Sequence, residues 1–294
     1  MGSVMDILFD METQDPDDVF TLCFLLSHPA LTLRAVTINP GSLEQVGLVR
    51  GILEKLGRGD LPIGVRNPRT STKTISDFHN SFLGQPTPSQ PDAVAHELLA
   101  QMLMDFPDAV WLTGAPLHNA RLLLANHPAV IIRRWVGQGG FAGDSLVPPD
   151  RRLPQFAGLE TCVSHNFSGD AKGTLAILSS QQVLSRDVVS KNVCHGVRYD
   201  AEMHRRMAAY RDATPGLALI YAGMECYLRE IPDGKLFHDP LAACVAVDRS
   251  IVTLIEVDVY HEKGKWGAKR ALGTNTFITI AVNHERFFQT LVAH

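Results

Sequence analysis

The sequence has no long apolar run. Its most apolar stretches, residues 22–26 and 241–247, fall far short of the ~20 consecutive residues that a membrane-spanning helix requires. The N-terminus lacks the basic start and apolar core of a secretion signal. Met1, Gly2 and Ser3, ahead of Met5, read as an appended remnant outside the fold. Cysteine is scarce: Cys23, Cys162, Cys194, Cys226 and Cys244 are widely spaced, odd in number, and form no Cys-x-x-Cys pair. That spacing suggests neither a disulfide framework nor a zinc or redox motif. Buried free thiols and a cytoplasmic location are expected. Positive charge is not clustered either. Lys and Arg total 27 against 31 Asp and Glu, for a formal charge of −4. Without a basic patch, neither nucleic acid nor an anionic membrane surface is an expected partner.

What is present is a chain of 294 residues, 45% hydrophobic. A chain of this length buries roughly 75% of the surface its unfolded form exposes, so it needs no staple to fold. Apolar segments at 5–9, 31–38, 61–65, 109–113 and 134–137 read as strands. Between them, 17–26, 43–56, 94–106 and 116–125 read as helices, and 171–179 as a further helix leading into another strand. The alternation predicts an α/β fold: an open, mostly parallel, Rossmann-like sheet with helices on both faces. A single domain over 5–294 is expected. Residues 67–91, rich in Ser, Thr, Pro and Gly, read as a long mobile loop. In such sheets ligands bind beyond the carboxyl ends of the strands, and the motifs below fall there.

The first of these motifs is acidic. Asp10, Glu12, Asp15, Asp17 and Asp18 follow the first strand with no base among them. Crowded carboxylates raise one another's pKa unless a cation binds, and all-oxygen ligands favour Ca²⁺ or Mg²⁺. The alternative is a solvated acidic helix start. Asp10-Met11-Glu12-Thr13 half fits a phosphatase signature, with Asp10 as nucleophile and Glu12 where a second Asp belongs. The segment also resembles the Asp-x-Asp-Pro-Gly-x-Asp-Asp loop of the nucleoside hydrolases, with one residue inserted and Asp-Pro displaced to Asp15-Pro16.

Later segments favour the second likeness. Residues 37–42, Thr-Ile-Asn-Pro-Gly-Ser, are similar to the hydrolases' second-strand motif. Residues 113–119 resemble their Gly-Pro-Leu-Thr-Asn turn. Asn166 to Ala171 resembles their Asn-x-x-x-Asp-Pro-Glu-Ala segment, and Phe237-His238-Asp239-Pro240-Leu241-Ala242 their His-Asp-x-x-Ala motif. The closing Lys263-Gly264-Lys265-Trp266-Gly267, Asn275 and residues 284–287 follow as well. The matches keep the family's order across residues 5–292.

The resemblance implies a Ca²⁺-dependent N-ribohydrolase that cuts the N-glycosidic bond of a ribonucleoside. It implies metal ligation by Asp18, Asp239, a main-chain carbonyl at Gly114 or Thr113, and Asp10, which otherwise braces the loop. It places Asp17 and Asn166 at the ribose and Ser42 among the substrate-binding residues; His79, in the loop 67–91, is the candidate to close over the base, a solvated loop histidine being the alternative. The general base is Glu12 counting from Asp10, or Asp15 counting back from Asp17. His238 matches a leaving-group acid. Trp266 is read as packing. A homodimer or tetramer is expected by analogy with relatives. The departures are Ser164, where the family places a Glu beside the 5′-hydroxyl, and Ser42, where it places an Asn. They suggest a 5′-modified substrate, with Arg151 and Arg152 as anion partners. Base contacts are expected near His79 and from 200–224. A metal-dependent phosphatase and a non-catalytic nucleoside-binding protein on the same fold are the competing readings.

Overall fold

The computed structural model describes residues 4–72 and 74–294; Met1 to Ser3 and Lys73 lie outside the described residues. The sheet is assembled from β1 (Met5–Met11), β2 (Leu31–Ile38), β3 (Ile63–Val65), β4 (Ala93–Val94), β5 (Val110–Thr113), β6 (Arg134–Gln138) and β7 (Arg186–Val189). A small antiparallel ribbon pairs β8 (Arg198–Tyr199) with β9 (Lys235–Leu236). The chain then returns through β10 (Val252–Glu262), β11 (Lys265–Arg270) and β12 (Thr276–Val282). The ten-stranded sheet runs β11-β10-β12-β7-β6-β5-β1-β2-β3-β4. It is parallel from β12 to β4, and β10 pairs antiparallel with β12 and β11.

Strand β1 explains why the sheet is covered on both sides. Its alternating residues enter two different cores: Ile7, Phe9 and Met11 pack in one, Leu8 in the other. The first core takes the helices Pro16–Ser27, Leu43–Lys55 and His238–Val247; the second takes Ala95–Asp105, His118–Asn126 and Ala171–Ser179 with Trp111 and Trp135. A strand buried on both faces reads as a continuous apolar run, as β1 does.

Two expectations need correction. The segment 67–91 is not a bare loop: it forms a 3-10 turn at Asp77–His79 and a short helix at Asn80–Leu83. The Ile75–Thr13 bridge and the bond from Ser76 N to Thr13 O tie it to the acidic loop. The C-terminal antiparallel hairpin extending the sheet is not among the expected strands: β10 mixes exposed and buried residues irregularly, and β11 buries only Trp266, Gly267 and Ala268 between charged, exposed ends.

Strand order decides where the site lies. The chain leaves β1 toward β2, β3 and β4, then crosses back to place β5 on the other side of β1. The carboxyl ends of β1 and β5 flank that switch point, where sheets of this class leave a crevice. The bond from Gly114 N to Asp10 O, 2.8 Å, closes the bottom of the crevice.

Candidate active site

A cleft of about 290 Å³ opens at the switch point, lined by the acidic loop, Gly114, Asn166, His238 and Asp239 among others. Asp10, next to last in β1, lies behind it, fully buried. Its Oδ1 accepts hydrogen bonds from Thr37 Oγ1 (2.6 Å) and Asn119 Nδ2 (2.7 Å). Those donors come from the second-strand motif and the turn after β5, so three separate motifs meet at one carboxylate. Asp10 Oδ2 is buried without a partner among the described residues, and burial pushes the pKa up to about 7.

Asp17, Asp18 and Asp239 present carboxylate oxygens within 4.8 Å of one another, all three residues buried. Asp18 Oδ1 accepts from Glu12 N at 3.0 Å. Asp17 Oδ2 accepts from His238 N and Asp239 N, at 2.9 and 3.2 Å, and so caps the helix His238–Val247 from across the chain. This fixes the distant Asp239 against the first loop. Burial, then mutual repulsion, raises the pKa of Asp18 and Asp239 well above the usual carboxylate range. Asp239 Oδ1 has no hydrogen-bond partner among the described residues. Buried, mutually repelling oxygens of this kind suit a hard divalent cation, which would favour their ionised forms.

Glu12 faces the cleft, its Oε2 3.1 Å from His165 Nε2. That bond raises the pKa of His165. Asp15 is the N-cap of the helix Pro16–Ser27 and pairs with Lys235 Nζ at 2.8 Å. Burial and Asp17 push its pKa up to about 6, against the opposing pull of Lys235. Thr13 ties this loop to residues 74–79: its carbonyl accepts from Ser76 N and His79 Nε2, and its hydroxyl donates to Thr74 O.

The structure moves several expected contacts. His79 does not close over the cleft: it is fully buried, its Nε2 2.9 Å from Thr13 O, and it braces the loop. Ser42 caps the helix Leu43–Lys55 in a reciprocal box with Gln45 and is not among the cleft-lining residues. Asn166 does line the cleft, with Nδ2 donating to Gly114 O (3.0 Å) and Gln138 Oε1 (2.7 Å). His238 also lines it, but burial and Lys235 depress its pKa to about 4. Arg151 pairs with neighbouring Asp150, and Arg152 with Val147 O and Asp144 O; neither lines the cleft. Residues 200–224 contribute no lining residue. Trp266 is buried, as read, against Phe167 and His261.

Residues the sequence reading missed include Gln138, His165, Lys191, His195 and Lys235. Lys235 is the most consequential. Its ammonium sits between Asp15 and Asp17 (2.8 and 3.3 Å) with the side chain 8% exposed. Burial opposes its charge, but Asp17 and Asp15 more than offset this and raise its pKa above the usual lysine value. Its only sequence signal was proximity to His238-Asp239.

The family model for inosine-uridine preferring nucleoside hydrolases matches residues 7–289. The chain belongs to that family. Its members are hydrolases of N-glycosyl bonds. The fold is also that of a plant nucleoside hydrolase, PpNRh1, with a TM-score of 0.77, 21% identity and 98% of each chain covered. A purine-preferring ribonucleoside hydrolase from Gardnerella vaginalis gives 0.69 and 16%, again with 98% of each chain covered. An inosine-uridine preferring nucleoside hydrolase from Bacillus anthracis gives 0.71 and 18%, covering 98% of this chain and 97% of its own. No curated protein sequence matches the chain significantly. Family membership lends the motif matches weight that no single motif carried.

Proposed function

We propose that this chain, acting as one domain over 5–294, is a Ca²⁺-dependent N-ribohydrolase. Its substrate is a ribonucleoside or a 5′-modified ribonucleoside, cleaved to free base and ribose. The observation that carries the reading is the buried carboxylate group of Asp17, Asp18 and Asp239 at the switch point of the sheet, with Asp239 Oδ1 and, near the end of β1, Asp10 Oδ2 unpartnered among the described residues. Asp18, Asp239 and the carbonyl of Gly114 would hold the ion, with Asp10 behind them. When bound, Ca²⁺ orients water and lowers its pKa.

The remaining chemistry belongs to the chain. Hydrolysis passes through an oxocarbenium-like ribose, which nearby carboxylates stabilise. Glu12, exposed to the cleft and steered by His165, takes the proton of the water whose oxygen bonds C1′. Asp15 is the poorer base because it is committed to Lys235 and to capping a helix. Asp17 Oδ1 remains the oxygen for a ribose hydroxyl, sharing it with Lys235. His238 is neutral at pH 7, so it offers the departing base a hydrogen bond from its N–H rather than an imidazolium proton. At the position expected to face the 5′ end, Ser164 stands in place of an acidic residue, and His165 and Lys191 line the same cleft, which favours a neutral or anionic 5′ substituent.

The test is reducing-sugar release from a panel of ribonucleosides and their 5′-monophosphates, with and without EDTA. Activity lost on chelation and restored by Ca²⁺ is expected. Glycosidic activity that persists in EDTA defeats the metal role, and plain nucleosides cleaved much faster than their monophosphates defeat the 5′ assignment. Phosphate release without sugar would favour a phosphatase, a poorer fit because the Asp10 carboxylate is buried and bonded rather than open to the cleft.

A further inference from the structure

The cleft contains a second donor set that the carboxylates do not use. Cys194 ends the short helix Lys191–Cys194 after β7, and His195 is its C-cap. His238 opens the helix His238–Val247 on the facing element. The ligand atoms of these three residues lie within 4.8 Å of one another. The two imidazoles stack with centroids 4.7 Å apart and planes 25° from parallel. His238 Nε2 is buried with no hydrogen-bond partner among the described residues. Cys194 is buried, and its sulfur accepts a hydrogen bond from Gln138 Nε2 at 3.3 Å.

We propose that Cys194, His195 and His238 form a site for a thiophilic divalent ion of the Zn²⁺ type, distinct from the carboxylate site, and that its occupation withdraws His238 from the substrate. One thiolate and two imidazoles are the donors that zinc and cobalt prefer, whereas calcium and magnesium take oxygen. The two sites therefore differ in the ions they select although His238 and Asp239 are neighbours in sequence. Bonds of about 2.3 Å to sulfur and about 2.0 Å to nitrogen set tetrahedral ligand atoms roughly 3.3–3.5 Å apart. Closure thus asks the three donors to approach by no more than about 1.5 Å, with the rings tilting out of their stack. On binding, the thiol proton leaves to solvent, and the Gln138 amide is already placed as an outer hydrogen bond to the sulfur. The open fourth position faces the cleft, whose lining includes both histidines.

The experiment titrates Co²⁺ into protein first stripped of metal and then supplied with excess Ca²⁺, and records the absorption spectrum. One equivalent should produce a thiolate-to-cobalt charge-transfer band with intense tetrahedral visible bands. The band should vanish in Cys194→Ala and survive in Cys162→Ala and Cys226→Ala. His195→Gln keeps the thiol, and should weaken Co²⁺ binding and alter the visible bands, which covers the case in which Cys194→Ala does not fold. Zn²⁺ should displace Co²⁺ and inhibit nucleoside cleavage, and EDTA followed by Ca²⁺ should restore it. Absence of the charge-transfer band, its persistence in Cys194→Ala, or its loss in Cys162→Ala overturns the proposal. Because binding is read by spectrum, failure of the ribohydrolase reading leaves this result standing, and the reverse.

Discussion

Gly114→Ala separates metal binding from folding. Gly114 does not occupy the left-handed region, so alanine meets no backbone penalty there. Its added Cβ, however, would lie 2.9 Å from Asp239 Cγ and Oδ2 and 3.0 Å from Oδ1. Unstrained carbon contacts are about 3.5–4.0 Å, so the carboxylate must retreat by roughly 0.5 Å or more. Metal ligands tolerate about 0.2 Å. Overpacking of this kind costs about 1–3 kcal/mol of stability. If Asp239 ligates Ca²⁺, affinity should fall about 10–100-fold, the range seen when the support of a metal ligand is disturbed. The assay is thermal unfolding with EDTA or with Ca²⁺ at a concentration saturating the wild type. At 100 times Kd the ion stabilises by about 2.7 kcal/mol, falling to about 1.4 for a tenfold weaker site and about 0.4 for a hundredfold weaker one. For a chain of this length that is on the order of 2 °C per kcal/mol. Calorimetric titration supplies Kd directly. A variant that loses stability but binds Ca²⁺ as tightly as the wild type refutes the placement of Asp239 at the ion.

The base assignment predicts that Glu12→Gln lowers kcat by about 10²–10⁴ with little change in KM, whereas Asp15→Asn chiefly lowers stability by leaving Lys235 with Asp17 as its one remaining carboxylate of the pair. Steady-state kinetics showing the reverse pattern would move the base to Asp15. In metal-free protein, Asp10 and Asp15 have pKa values raised to about 7 and about 6, so the native state holds protons the unfolded chain has released. These two carboxyls therefore contribute stability that is lost as pH rises from about 4 through about 7, the depressed His238 and His195 contribute in the opposite sense up to the ordinary histidine range, and the extra stability conferred by Ca²⁺ should grow over the same window. Melting curves across that range, with EDTA and with Ca²⁺, check both signs. Asp187 is fully buried between Arg134 and Arg249, at 3.0 and 2.8 Å, and Arg134 also bonds the carbonyls of Val245 and Ala246 at the end of the helix that carries Asp239. Asp187→Ala should cost about 3–5 kcal/mol in urea unfolding; a neutral substitution would mean that the helix is anchored elsewhere.

Much of the scaffold was legible because it rests on local signals. The apolar runs of β1, β2 and β5 and the amphipathic segments after them report burial directly, and the observed helices at 43–55, 95–105 and 118–126 fall close to the predicted spans. The edge hairpin β10–β11 was not legible, since half-exposed strands have no run to detect. Within the site, Asp17, Asp18 and Asp239 were legible as charges in motifs. His79 and Ser42 were misplaced for one reason: a polar side chain near a site has the same signature whether it faces ligand or backbone. Thr13 O and the backbone N–H of Gln45 claimed them.

The sequence by itself determined the class of sheet, the acidic loop at the end of its first strand and the ordered motifs that carry the family resemblance. These follow from periodicity and from residue types within a few positions of one another. Tertiary structure alone decided that Lys235 enters the carboxylate group, that Asp17 caps the helix bearing Asp239, and that Cys194 meets two histidines despite the lack of any metal-binding spacing. Those contacts join residues as much as 222 positions apart. They exist only because the strand order turns back at β1 and brings the ends of separate strands to one crevice, and no local pattern encodes that return.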